Sequence, residues 1–323
     1  MKAALLLAAG LCAAEPGLSA LKTKRFGVLL LGEGGAGSWA ATVQDARKAL
    51  GKDAPLEFAE GQADPRSIQR GIDALESQGV RLIVAVPLFL DSQSPVMDQT
   101  RFLLGLRERP SDAFLGGAHA LAGGPPQRLN VRTPLVLAKA LDDNALLVEV
   151  IAARARKLSS RPNDDTLILV GTPPSSKDDA LRWAGLMSSL AEKAGRSAGF
   201  KAARAMALAA ESDQDARERS ERQIGQTLRQ LRASGGVVVV PAELTPGAQR
   251  MALDRMLDGA FVRYDGQGLL PDPKFARWIK QAAEQASKLP DMRLYQKDRK
   301  SLTPPPALTF EHKLSIPSQG DHR

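Results

Sequence analysis

Residues 81–90 read RLIVAVPLFL. Leu82–Val86 is an unbroken apolar run of strand length, with β-branched side chains at Ile83, Val84 and Val86. Such a run, without polar alternation, suits a strand covered on both faces. Upstream, residues 26–31 (FGVLLL) have the same character and run into a glycine-rich turn, Gly32–Gly37. Ser38 is placed to cap a helix over Trp39–Leu50. Between these two strands, Leu56–Ala59 reads as a short strand. Asp64-Pro65 then opens a helix with Ile68, Ile72 and Leu75 on one face, and Gly79 ends it. The order is β-α-β-α-β, and right-handed crossovers make that a parallel sheet.

Downstream the pattern returns. Gly116–Pro126 is a Gly/Pro-rich loop, and Leu146–Leu158 a helix. Thr166–Val170 (TLILV) is a second buried strand followed by Gly171, and a long helix spans Ala180–Ala198. Arg217–Ala233 is a highly charged helix whose apolar residues Ile224, Leu228 and Leu231 mark one packed face. Val237–Val240 is a buried strand followed by Pro241. Strand-Gly32-Glu33 corresponds to strand-Gly171-Thr172, and Val86-Pro87 to Val240-Pro241. The repeat is too long for a solenoid, so a duplicated domain is the simpler reading. The expected fold is α/β, with two similar halves, each a parallel sheet flanked by helices. The boundaries fall at 21–140 and 141–289, with a disordered tail over 290–323 containing Pro304-Pro305-Pro306.

The N-terminus reads as an export signal over residues 1–20. Lys2 precedes an apolar run, Ala3–Leu11, and Cys12-Ala13-Ala14 offers small residues before a cleavage point near Glu15. The run is too short to span a bilayer, so no integral membrane segment is expected after cleavage. This places the protein in the periplasm or outside the cell. The single cysteine, Cys12, rules out an internal disulfide and a Cys-based zinc site. The histidines, His119, His312 and His322, have no ligand spacing. The net charge is +8, but basic residues are interleaved with acidic ones and only 4% of residues are aromatic. That patterning disfavours a nucleic-acid partner and leaves an anionic small molecule as the better match.

Gly32-x-Gly34-x-x-Gly37 follows a strand and opens a helix, and Glu60 ends the next strand. In outline this is a dinucleotide-binding fingerprint, with a carboxylate placed for the ribose. It is equally a glycine-rich turn that binds nothing. The second half repeats the strand but turns through Gly171-Thr172-Pro173-Pro174, which cannot cradle a pyrophosphate.

Val86-Pro87-Leu88-Phe89-Leu90, a short polar loop and then residues 101–107 (RFLLGLR) resemble the class II tetrapyrrole chelatases. These are the sirohydrochlorin cobaltochelatases and ferrochelatases of the CbiX/SirB type. Leu29-Leu30-Leu31-Gly32 and Phe58-Ala59-Glu60 are similar to that family's first two strand ends. Pro134–Leu158 with Thr166–Gly171 looks like the junction into its second half, and Leu270-Pro271-Asp272-Pro273 with Ala276-Arg277-Trp278 like its closing segment. The resemblance covers residues 26–288. It implies a lyase of cobalamin or siroheme biosynthesis that inserts cobalt or iron, as substrate, into a tetrapyrrole without an organic cofactor. Neutral imidazole would there be both metal ligand and proton acceptor.

The chain departs from that pattern at the histidines. Glu33 stands at the first position, Gln93 or Pro95 at the second, and Thr172 at the corresponding place in the second half. The loop Ala242–Gln249 has none. Glu60 alone matches. Glu33 and Glu60 are therefore the candidate catalytic and metal-binding residues, a two-carboxylate oxygen site suited to hard ions. Gln93 is the candidate substrate-binding residue. The alternatives are a solvated loop position for Glu33, a structural hydrogen-bond acceptor for Glu60 and a surface role for His119. Three functions stay open: a chelatase-like protein with insertion put in doubt by the lost histidines, an exported metal or tetrapyrrole binding module without turnover, and a dinucleotide-binding oxidoreductase.

Overall fold

The computed structural model describes residues 25–35, 37–52, 54–111, 127–210, 212–257 and 262–295. The expected export signal, all three histidines, Cys12 and the prolines at 304–306 lie outside them. Among the described residues no helix is long and apolar enough to cross a membrane.

The protein is an α/β fold of two similar halves, each a parallel sheet flanked by helices. The first sheet contains β1 (Phe26–Gly32), β2 (Leu56–Glu60), β3 (Leu82–Pro87) and β4 (Leu135–Leu137), in the order β2-β1-β3-β4. The second contains β5 (Asp165–Gly171), β6 (Ala202–Ala207) and β7 (Gly236–Pro241), in the order β6-β5-β7. Helices α1 (Ser38–Leu50), α2 (Pro65–Ser77) and α3 (Pro95–Leu103) belong to the first half. Then come α4 (Ala145–Leu158), α5 (Lys177–Ala198), α6 (Gln214–Arg232), α7 (Ala248–Leu257) and α8 (Pro273–Ala286).

The helix starts follow from local chemistry. The side chain of Asp64 accepts the Ser67 N–H at 2.7 Å ahead of Pro65, and Asp272 accepts the Lys274 N–H at 2.9 Å ahead of Pro273. Each side chain satisfies an orphan donor, and proline at the first position loses none. Ser94-Pro95 starts α3 in the same way, where the sequence suggested a polar loop. Ser38 is the first residue of α1 rather than its cap; the cap position is Gly37, at φ 74°, without a side-chain bond.

The duplication is visible in the registers. Leu31 pairs with Pro87 across β1 and β3, and Val170 with Pro241 across β5 and β7. Both central strands are seven residues long and end in glycine. Above each glycine lies a tryptophan from the following helix. A Cβ on Gly32 would collide with the Trp39 ring, and one on Gly171 would come within 2.9 Å of Trp183 and 3.2 Å of Ala242. The glycines are there so that the ring can rest on the strand end.

Inward-facing Val28, Leu30, Val84 and Val86 of the first sheet share one continuous core with Leu167, Leu169, Val238 and Val240 of the second. Trp39, Ile151, Trp183 and Trp278 lie in it. Although α8 follows the second sheet in sequence, it packs on α1 and β3. A boundary at 140/141 thus leaves α8 with the second half in sequence while its main partners lie in the first. The first residues of the expected tail, 291–294, are bonded to the first half. Met292 N–H reaches Leu135 C=O at 2.9 Å, and Leu294 N–H reaches Gly105 C=O at 3.0 Å. Buried Arg293 donates to Asp291 and to the Val131 carbonyl.

Overpacking a tight strand end costs roughly 1–3 kcal/mol. Gly32→Ala should lower the urea midpoint more than Gly171→Ala, because two tryptophan ring atoms crowd the first site and one contact of 2.9 Å the second. Equal, negligible losses would show that the rings move aside.

Candidate functional site

Parallel strands bring the loops that follow them to one end of the sheet, where open α/β folds place their sites. Here the loops after β1, β3, β5 and β7 meet around a cleft of about 450 Å³, within the ~300–1,000 Å³ typical of small-molecule sites. Glu33, Gln62, Phe89, Leu90, Asp91 and Ser94 come from the first half, and Thr172, Trp183, Arg217, Glu243 and Leu244 from the second.

The two walls are equivalent by register but not by residue. Leu88 N–H donates to Leu31 C=O, and Ala242 N–H donates to Val170 C=O. Leu88 therefore matches Ala242, and the next residues, Phe89 and Glu243, match each other. One step after the central strands, Glu33 matches Thr172. Each half thus contributes one glutamate, from a different position.

Those carboxyls are perturbed together. Glu33 is exposed along part of its length at the cleft rim, but the surroundings of its carboxyl desolvate it and raise its pKa, partly offset by a hydrogen bond with the Gln62 side chain. Glu243 is pushed up to about 7, first by desolvation and further by the negative charge of Glu33; the Gly247 N–H and Arg217 oppose the rise. Asp91 is also raised, mainly by burial, with the Gln93 N–H pulling the other way and Asp142 adding to it. Its loop is fixed: both Asp142 carboxylate oxygens accept from Ser92, at 2.8 Å each, and Arg101 donates to the Ser92 carbonyl. The loop of Glu243 is equally fixed, because Leu269 N–H and Leu270 N–H donate to the Glu243 and Leu244 carbonyls. At Gly268 a Cβ would lie 2.6 Å from the Leu244 oxygen, so only glycine allows that approach.

The sequence-derived candidates separate in space. Glu33 is in the cleft. Glu60 does not join it there. Its Oε1 accepts the Gly35 N–H at 2.9 Å, and its stem fills the space over Gly34, where a Cβ would collide with it. The carboxylate that a dinucleotide site would offer to a ribose is thus turned back into the protein's own loop. Gln93 is exposed outside the cleft lining, its N–H held by Asp91 Oδ1 at 2.8 Å. Among the described residues no group of three or more His, Cys, Asp or Glu side chains is arranged to hold a metal ion. Glu243 and Arg217 are functional candidates that sequence reasoning missed. The internal repeat carried a signal for the first, since it aligns Glu243 with the loop after β3.

No protein-family model matches the chain, and no curated protein matches it. Solved structures do. SirB from Bacillus subtilis with Fe3+ matches with a TM-score of 0.58 at 16% identity, covering 83% of this chain and 99% of that one. The sirohydrochlorin chelatase SirB from Bacillus subtilis subspecies spizizenii, in complex with cobalt, matches with a TM-score of 0.51, the same identity and the same coverage. At this identity the likeness is one of fold: the chain has a chelatase-like fold.

Proposed function

We propose that this is an exported chelatase-like protein that binds a tetrapyrrole or a divalent ion in the cleft between its halves, with metal insertion slow or lost. One observation carries the reading: Glu33 and Glu243 converge from opposite halves on a single cleft, where burial raises both carboxyls and the Glu33 charge raises Glu243 further. Insertion of a divalent ion displaces two pyrrole N–H protons, so the site needs a base that works near neutral pH. A carboxyl pushed up to about 7 has the basicity of an ordinary imidazole, ~6.5. Glu243 therefore supplies the proton acceptor that the replaced histidines would have been. It does not supply their affinity for cobalt or iron, because carboxylate oxygens favour harder ions. Retained basicity with reduced affinity for the softer ions is the physical reason for binding with little turnover.

Mixing the purified protein with sirohydrochlorin should shift the tetrapyrrole's absorption, and adding Co²⁺ should yield little inserted product. No shift would overturn the tetrapyrrole reading, and rapid insertion the claim of lost turnover. Calorimetry with Co²⁺ and Mg²⁺ tests the ion separately. Any residual insertion at pH 7 should fall at least about tenfold in Glu243→Gln, since a positioned base contributes at least that much.

Glu243 also predicts a pH dependence of stability. Its folded pKa is raised to about 7, so the folded state holds a proton that the unfolded chain releases at lower pH. Its contribution is full below the ordinary carboxylate range and is lost as pH rises from there through 7. Denaturation across this window should show a loss of roughly 1–3 kcal/mol that Glu243→Gln flattens. Glu33→Gln should lower the Glu243 pKa, read from its side-chain carbon shift by NMR.

A further inference from the structure

Arg217 lies in the first turns of α6, whose cap Asp213 accepts the Ala216 N–H at 3.0 Å. Its guanidinium is fixed on two sides. Nε donates to Glu221 Oε1 at 2.9 Å, and Nη1 donates to the Ala209 carbonyl at 2.6 Å. Only 6% of the side chain is exposed. Nη2 is buried and has no hydrogen-bond partner among the described residues, yet Arg217 lines the cleft. A buried donor on a charged group is costly when unpaired, and native interiors rarely leave one so. The guanidinium is built to bind carboxylate oxygens through its N–H edges. Among the described residues that line the cleft, Arg217 alone is cationic.

We infer that Arg217 Nη2 is the docking point for a carboxylate of the ligand, so that the cleft takes an organic carboxylate with its apolar body against Phe89, Leu90, Trp183 and Leu244. This deepens the proposed function, on which its tetrapyrrole form rests, by naming the ligand class. Glu33, Asp91 and Glu243 line the same cleft and repel a second anion. The ligand's orientation is therefore set by which of its carboxylates meets the guanidinium. Glu221 and the Ala209 carbonyl hold that guanidinium in place before the ligand arrives, which limits the ordering cost of binding.

The test titrates the full chain, Arg217→Lys and Arg217→Met with 4-phenylbutyrate, a monocarboxylate with an apolar body, and, separately, with sirohydrochlorin, by calorimetry at pH 7. Melting midpoints check that each variant is folded. Arg217→Met should weaken both ligands roughly ten- to hundredfold, and Arg217→Lys should lose less. On the unaltered chain, 4-phenylbutyrate should move the Arg217 guanidinium resonances in a ¹⁵N-arginine spectrum, which keeps the inference testable if Arg217→Met fails to fold. Unmoved resonances, or unchanged affinity in folded Arg217→Met, overturn the carboxylate site. If 4-phenylbutyrate binds through Arg217 and sirohydrochlorin does not bind, the carboxylate site stands and the tetrapyrrole reading falls. If Arg217→Met binds sirohydrochlorin as well as the parent does, the tetrapyrrole reading stands and the carboxylate site falls.

Discussion

One continuous apolar core, reaching from Trp39 on the first half through Ile151 to Trp183 on the second, fixes how the two sheets face each other. Everything about the cleft depends on it. The strand-end loops of both halves are brought together because the inward faces of β1, β3, β5 and β7 share this core. Close-packed interiors resist small displacements, so this core, which includes Trp183, Ala242 and Leu244 at the cleft, holds Glu33 and Glu243 in their places on opposite walls.

Within that frame the halves have diverged where chemistry is exposed and kept their likeness where backbone is packed. Strand lengths, registers and the glycine under each tryptophan agree between the halves. The residues after those strands do not: Glu33 stands against Thr172 and Phe89 against Glu243. The result is an asymmetric cleft with carboxyls on both walls and one guanidinium from α6. Acids in a partly desolvated space disfavour one another's ionisation. Desolvation first, and the Glu33 charge after it, is how the Glu243 carboxyl is pushed up to about 7 without a histidine.

Four of the five strands legible in the sequence are buried on both faces; the fifth, β2, is a part-exposed edge strand. FGVLLL, LIVAV, TLILV and VVVV are continuous apolar runs because helices cover both sides of the sheet. The ones missed had no such pressure. The second-half edge strand β6 is mostly Ala, with exposed residues along it, and β4 is three residues long. Glu60 was open both to a ligand role and to that of a structural hydrogen-bond acceptor, and spacing could not separate them. Its spacing from the glycine loop fits a ribose ligand, but spacing does not reveal that the carboxylate folds back onto the Gly35 N–H. Glu243 and Arg217 are ordinary charged residues in charged or mixed stretches. Only the pairing register, which aligns the two halves residue by residue, singles out Glu243. The i,i+4 pairing of Arg217 with Glu221 is an ordinary helix-surface pattern, and it does not reveal that the guanidinium is buried and also bonded to the Ala209 carbonyl.

The return of α8 to the first half has a consequence in time. As the chain is made, β1, α1 and β3 emerge well before residues 273–286, and the surfaces of α1 and β3 that α8 covers stay open until then. At ~5–20 residues per second, that interval is on the order of ten to fifty seconds. During it the first sheet is an incomplete layer with apolar surface on offer. The first half is complete only when α8, the last helix among the described residues, crosses back onto α1 and β3.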